Sequence, residues 1–185
     1  MSELYEELQR LVGQEGPRIT GADPVCQQMI RHWCEAMENA NPLYIDEEYG
    51  KRSKYGSIIA PPMMVLAFAQ PPLWPEGQEM LFRHPEKLTR KEPPAPYEVA
   101  MEKLNQAGFT GMFVAGCVQE FLRPLFPGDR VSRRSKLLSV TPEKRTAAGN
   151  GHFLSVLFSY CNQKGEPICN ETVTLLRFKP QENIL

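Results

Sequence analysis

Histidine is scarce in this chain: His32, His84 and His152 lie far apart, and none has a zinc-type partner nearby. Tetrahedral metal sites need closely spaced Cys and His ligands, so no metal is expected. The five cysteines (Cys26, Cys34, Cys117, Cys161 and Cys169) are odd in number and contain no CxxC pair. They read as reduced, small core residues, although Cys161 and Cys169 flank a turn and could face each other across a hairpin. No apolar run approaches the roughly 18 residues of a membrane-spanning helix. The opening MSELYEELQR is acidic, unlike the basic-then-apolar start of a signal peptide, and a cytoplasmic protein is expected. An excess of charge is missing too. With 21 Lys+Arg against 22 Asp+Glu, nothing draws the chain toward nucleic acid or an anionic membrane, and neither is expected as a partner.

What is present is 185 residues, 42% hydrophobic and 23% charged, the balance of one globular domain with a sizeable core. A single domain over 1–185 is therefore expected. Leu4, Leu8, Leu11 and Val12 share a helical face that Gly13 ends. Asp23-Pro24 reads as an N-cap and first helical residue, because Cys26, Ile30, Trp33, Cys34 and Met37 then recur as an apolar stripe. A short helical turn follows around Asp46–Lys54. The stretch from Ser57 to Ala69 is apolar on nearly every side, predicting a helix from near Pro61 that is buried all round. Seven prolines between 71 and 96 mark an insertion at about 71–110, within which Tyr97, Ala100, Met101 and Leu104 have helical spacing before Gly108.

From Phe113 onward the period changes to two. Strands are predicted over 113–126, 130–140, 152–161 and 168–178, joined as antiparallel hairpins by turns at Pro127-Gly128-Asp129, Thr141-Pro142-Glu143 and Asn162–Glu166. Helices first and hairpins after, with one fully apolar helix, predict an α+β fold: an antiparallel sheet wrapped round a buried helix.

Two segments carry more than a fold. Met37-Glu-Asn-Ala-Asn-Pro-Leu-Tyr-Ile-Asp46, followed by Ile58-Ile-Ala-Pro-Pro-Met-Met64, resembles the hydratase motif of MaoC-like proteins, G-D-x-N-P-[LI]-H-x-D and then I-[VA]-H-G-M. Phe121-Leu-Arg-Pro-Leu-Phe-Pro-Gly-Asp-Arg130, Tyr160–Glu166 and Leu175–Phe178 are similar to the same superfamily. Asp23–Met37 resembles its branch of FAS1-like dehydratase N-terminal domains, some of which act in steroid side-chain degradation. The resemblance implies a hot-dog fold and a place in fatty acid or steroid metabolism. It also implies reversible hydration of an enoyl-CoA, with a coenzyme A thioester as substrate and no cofactor.

Three positions depart from the family pattern. The family's catalytic aspartate falls on Asn39 and its histidine on Tyr44. Asparagine takes no proton, and an ordinary tyrosine titrates near about 10. The family's His-Gly pair falls on Pro61-Pro62, and proline has no N–H to offer the thioester oxygen. The resemblance thus points to a pseudo-catalytic subunit that relies on a smaller MaoC-like hot-dog partner for the Asp/His dyad.

Asn41, Tyr44, Pro62 and Arg134 are the residues expected to meet substrate. Asp46 and Glu38 are the carboxylates near enough in sequence to replace the base, though Asp46 also suits a helix cap and Glu38 a solvated face. Arg130, Arg133, Arg134, Lys136, Lys144 and Arg145 could meet coenzyme A phosphates or simply protect a strand edge. Trp74, Met80 and Phe82 could wall an acyl pocket or pin a loop. Two other readings stay open: a self-sufficient homodimeric hydratase or thioesterase using Asp46, Glu38 or Tyr44, and a non-enzymatic acyl-CoA-binding protein.

Overall fold

The computed structural model describes residues 2–72 and 92–180. Trp74, Met80 and Phe82 lie outside the described residues. Helix α1 (Glu3–Leu11) is capped by the Ser2 hydroxyl, which accepts from the Tyr5 N–H, and it buries Leu8. After the two-residue strand β1 (Ile19–Thr20) comes α2 (Gln27–Ala36), which buries Ile30 and Cys34. This helix starts later than Asp23-Pro24 predicts. Val25 is buried and tied on both sides to the distant turn, its N–H donating to Asp129 O and its C=O accepting from Gly128 N–H. Those bonds hold the chain out of helical geometry until Cys26.

Two short helices, α3 (Pro42–Ile45) and α4 (Glu47–Arg52), share the hinge residue Asp46. Gly50 of α4 lies against the next segment so closely that a Cβ there would stand 2.5 Å from Ile58 N. The apolar stretch that follows forms a 3₁₀ turn (Pro62–Met64) running into α5 (Val65–Phe68). It is shorter than its composition predicts and buried on one side only. Met64, Val65 and Phe68 face the core, whereas Pro62, Met63 and Ala67 are exposed. Helix α6 (Pro96–Gln106) matches the spacing of Tyr97–Leu104, and Gly108 stops it in the left-handed region at φ 87°.

The remaining elements are β2 (Gly111–Phe121), β3 (Ser132–Val140), β4 (Lys144–Thr146), β5 (Gly149–Cys161) and β6 (Pro167–Phe178). All pairings are antiparallel, in the order β1-β3-β5-β6-β2, with β4 on β5. The turn at Pro127–Asp129 therefore does not close a hairpin between β2 and β3, as its chemistry predicts. β2 lies on the far side of the sheet from β3. The connection crosses the sheet end, anchored by Val25 and by Ala60 N–H donating to Leu125 O at 2.8 Å.

Alternation along β5 and β6 turns His152, Leu154, Val156, Phe158 and Tyr160 to the same face as Cys169, Glu171, Val173, Leu175 and Arg177. On this core face the helices build two separate cores. The first joins Ile30 and Cys34 of α2, Met64 of the 3₁₀ turn and Val65 and Phe68 of α5 to Leu125, Tyr160 and Cys169. The second joins Leu8 of α1 and Ala100 and Leu104 of α6 to Leu137, Leu154 and Val156. Phe158 packs against both. The cysteines are free thiols, and Tyr160, not Cys161, stands opposite Cys169.

Candidate functional site

The segment from Asn39 to Pro62 is held by its own small polar side chains. The Asn39 side-chain oxygen accepts from Asn41 N–H at 3.1 Å, and that of Asn41 accepts from Leu43 N–H, capping α3. Asp46 Oδ1 accepts from Tyr49 N–H at 2.9 Å and caps α4, its bland role. Glu38 is exposed at the end of α2, with a positive φ of 49°. The Ile59 N–H donates to Leu43 O at 3.0 Å, tying α3 to the strand-like lead into Pro61.

A cleft of about 290 Å³ opens where that lead meets the end of β2, walled by Tyr55, Ile59, Pro62, Phe121, Leu122 and Arg123. Pro62 is thus in a cavity, at the start of the 3₁₀ turn. Because Pro61 and Pro62 both lack an N–H, the first amide this end can present is that of Met63. Tyr44 borders a different cleft of about 200 Å³ with Gln27, Gln28, Arg31 and Ile45. Asn39 and Asn41 line neither cleft. Arg134 is on the outer face of β3, paired across the strand with Ser159 and bridged to Glu15 at 3.4 Å. The structure therefore gathers Asn39, Asn41 and Tyr44 on one capped overhang, sets Pro62 in the apolar cleft, and leaves Arg134 on the other side of the sheet.

The motif Phe121–Arg130 and the turn after Tyr160 have a structural task. Asp129 accepts from Phe126 N–H at 3.0 Å, from Asn162 Nδ2 at 3.2 Å and from Arg123 Nη1 at 3.3 Å. Asn162 also donates to Glu166 Oε2 at 2.7 Å. The network pins the sheet-crossing connection onto the β5–β6 hairpin and so fixes the Arg123 wall of the cleft.

Sequence reasoning missed two charged residues on the core face. Glu171 is buried and accepts from Tyr160 O–H at 2.8 Å, Gln119 Nε2 at 2.9 Å and Cys117 Sγ at 3.5 Å. Burial, then the bond and charge of Glu171, push the Tyr160 hydroxyl well above its ordinary range, with Arg133 pulling the other way. Burial likewise raises the Cys169 thiol to about 11, and the Glu171 charge adds to it. Arg177, the second, donates from Nη2 to Asn105 Oδ1 at 3.2 Å. The signal for both was available: a charge at every-second-residue phase with Cys169, Val173 and Leu175.

An antiparallel sheet carrying helices on one face, with a hydratase-motif overhang feeding the helical segment, defines the MaoC-like hot-dog class. The chain belongs to the FAS1-like dehydratase family, whose dehydratase domain region matches residues 10–171. It is 36% identical over 186 residues to a "Probable enoyl-CoA hydratase alpha subunit" of Thermomonospora curvata, covering 97% of this chain and 54% of that protein. It is 28% identical over 183 residues to the "3-oxo-4,17-pregnadiene-20-carboxyl-CoA hydratase alpha subunit" of Mycobacterium tuberculosis, covering 97% and 53%. The chain spans about half the length of these curated relatives. Among solved structures, the ChsH1-ChsH2 complex of M. tuberculosis superposes with a TM-score of 0.80 at 24% identity, covering 98% of this chain and 94% of that one. A MaoC-like dehydratase of Rhodospirillum rubrum gives 0.58 at 20%, covering 90% and 93%. No helix among the described residues is long and apolar enough to cross a membrane.

Proposed function

We propose that this chain is the substrate-walling subunit of a heteromeric enoyl-CoA hydratase. It binds an acyl-CoA thioester, and a smaller MaoC-like hot-dog subunit supplies the Asp/His dyad. The observation that carries this reading is the chemistry at Asn39, Tyr44 and Pro62. Hydration across the enoyl double bond needs a base to take a proton from water, an acid to protonate the α-carbon, and donors for the thioester oxygen. Asn39 spends its side-chain oxygen on a backbone N–H, and asparagine has no proton to exchange. Tyr44 and Pro62 border separate clefts. A second observation supports the partner. β2 is an edge strand among the described residues, and Met112, Phe113, Val114, Val118 and Phe121 are exposed along it. Long apolar edges are what soluble proteins cover. The names of the relatives, both alpha subunits of hydratases, agree with this arrangement.

The test is turnover of crotonyl-CoA, followed by loss of the enoyl-thioester absorbance. The pure chain should be nearly inactive. Adding a dyad-bearing small subunit should give strong activity that is abolished by mutating the small subunit's aspartate. A kcat of about 1–10³ s⁻¹ for the partner-free chain, the range of ordinary enzymes, would overturn the proposal and favour a self-sufficient homodimer.

A further inference from the structure

We infer that the small cavity at the seam between the two cores is a carboxylate-binding site, in which Arg133 supplies the charge and Ser135 a second donor. The inference stands apart from the hydratase reading, because neither residue borders the clefts of Tyr44 and Pro62.

The cations of β3 divide by strand phase. Arg134 and Lys136 point to the outer face, where both meet Glu15. Arg133 and Ser135 take the opposite phase and stand across from Tyr160 and Phe158 on the core face. Arg133 is half-buried, its guanidinium carbon 5.9 Å from the centre of the Phe158 ring. It lies close enough to the Tyr160 hydroxyl to draw that pKa down, but the hydroxyl already donates to Glu171. Arg133 forms no ion pair among the described residues. Ser135 is only 7% exposed, and its hydroxyl has no hydrogen-bond partner among them. A buried hydroxyl and a half-buried cation without acceptors are both unfavourable until a ligand meets them.

Both side chains open into one cavity of about 20 Å³, walled by Ile19, Ala95, Tyr97 and Phe158 and lined by no carboxylate. Phe158 packs against both cores, which places the cavity at their seam. A volume of this order holds one water-sized group, so it admits an oxygen of a planar carboxylate and excludes a tetrahedral phosphate. Arg133 and Ser135 can both donate, and an ionised carboxylate only accepts, through charge-assisted bonds stronger than neutral ones. A water there would satisfy the serine but leave the guanidinium without a counter-charge among aromatic and apolar walls. The carboxylate comes either as a small free acid or as the far end of a longer acyl group.

The experiment follows the arginine Nε–Hε signals of the isotope-labelled chain by NMR at neutral pH, the Arg133 signal being the one missing from Arg133→Gln. Sodium acetate should move that signal to saturation, and sodium chloride at matched ionic strength should not. Ser135→Ala, which removes a hydroxyl without a partner, should fold as the wild type does and bind acetate about tenfold more weakly or worse. A second titration compares adipyl-CoA, which ends in a carboxylate, with hexanoyl-CoA, which does not. Movement with adipyl-CoA but not with acetate or hexanoyl-CoA would support the site and assign the carboxylate to an acyl tail. Equal movement in acetate and chloride, equal movement with the two thioesters, or unchanged acetate binding by Ser135→Ala would each overturn the inference. So would a signal that neither acetate nor adipyl-CoA moves, which leaves the cavity to water alone. None of these outcomes depends on whether the chain takes part in hydration.

Discussion

Removing one oxygen atom at Tyr160 tests whether the core-face polar cluster holds the fold. Tyr160→Phe keeps the ring, which is almost fully buried in the first core, so little cavity is created. What is lost is the O–H donating to Glu171 Oε2 at 2.8 Å. Glu171 keeps Gln119 and the weaker Cys117 donor, both on Oε1. A hydrogen bond to a charged, buried group contributes about 1.5–3 kcal/mol, and loss of the donor leaves that oxygen desolvated. For a chain of this length each kcal/mol shifts Tm by about 2–4 °C, so the variant should melt about 3–12 °C lower. The pH dependence has a definite sign. Burial raises the folded pKa of Tyr160 above the ordinary value near about 10, so its contribution is complete below that value. It is lost as pH rises from there toward the folded pKa, because the unfolded chain gives up the proton first. Urea titrations of both proteins at neutral pH and above about pH 10 measure both effects. The gap between them should narrow in alkali. A neutral-pH difference below about 0.5 kcal/mol, within the range of an ordinary surface substitution, would refute the claim that this bond stabilises the core.

Three further outcomes follow. Asn39→Asp combined with Tyr44→His should restore little crotonyl-CoA turnover to the isolated chain, since Pro62 still offers no amide and one oxyanion donor is worth about 10²–10³ in rate. Restoration to a kcat of about 1–10³ s⁻¹ would place the donors elsewhere. Asn162→Ala should cost about 1–3 kcal/mol in urea unfolding, because Asn162 is buried and joins Asp129 and Glu166 across two turns. Alkylation followed by mass spectrometry near about pH 8 should leave Cys34 and Cys169 unmodified in the native chain, both being buried with raised pKa values. Cys117 is exposed but, being raised by burial of its thiol and by Glu171, should react more slowly than a free thiol, and assembly should protect it.

The strands were legible because their signal is local. Leu154, Val156, Phe158 and Tyr160 alternate against Ser155 and Ser159, and the structure turns all four to the core face. Strand order was not, since nothing within Gly111–Phe121 says that its neighbour is β6 and not β3. That pairing depends on a crossing connection held by Val25, Ala60 and Asp129. The same long-range bonds explain the late start of α2: Asp23-Pro24 has cap chemistry, but tertiary hydrogen bonds at Val25 override it. Asn39, Tyr44 and Pro62 were found through the motif, and the structure adds that Tyr44 and Pro62 border different clefts while Asn39 lines neither. Glu171 and Arg177 sit in the core phase of β6, yet a periodic pattern cannot say that Tyr160, 11 residues away on another strand, completes the first while Asn105 of α6 meets the second.

The division of the sheet face into two cores also separates what supports each set of helices. Ala69 lies in the first core, whereas Ala100 and Leu104 of α6 lie in the second. Phe158 packs against both, so a change of volume at that ring is felt on either side, while a change at Ile30 or at Leu8 is felt first by its own helices, because close-packed neighbours take up such strain locally.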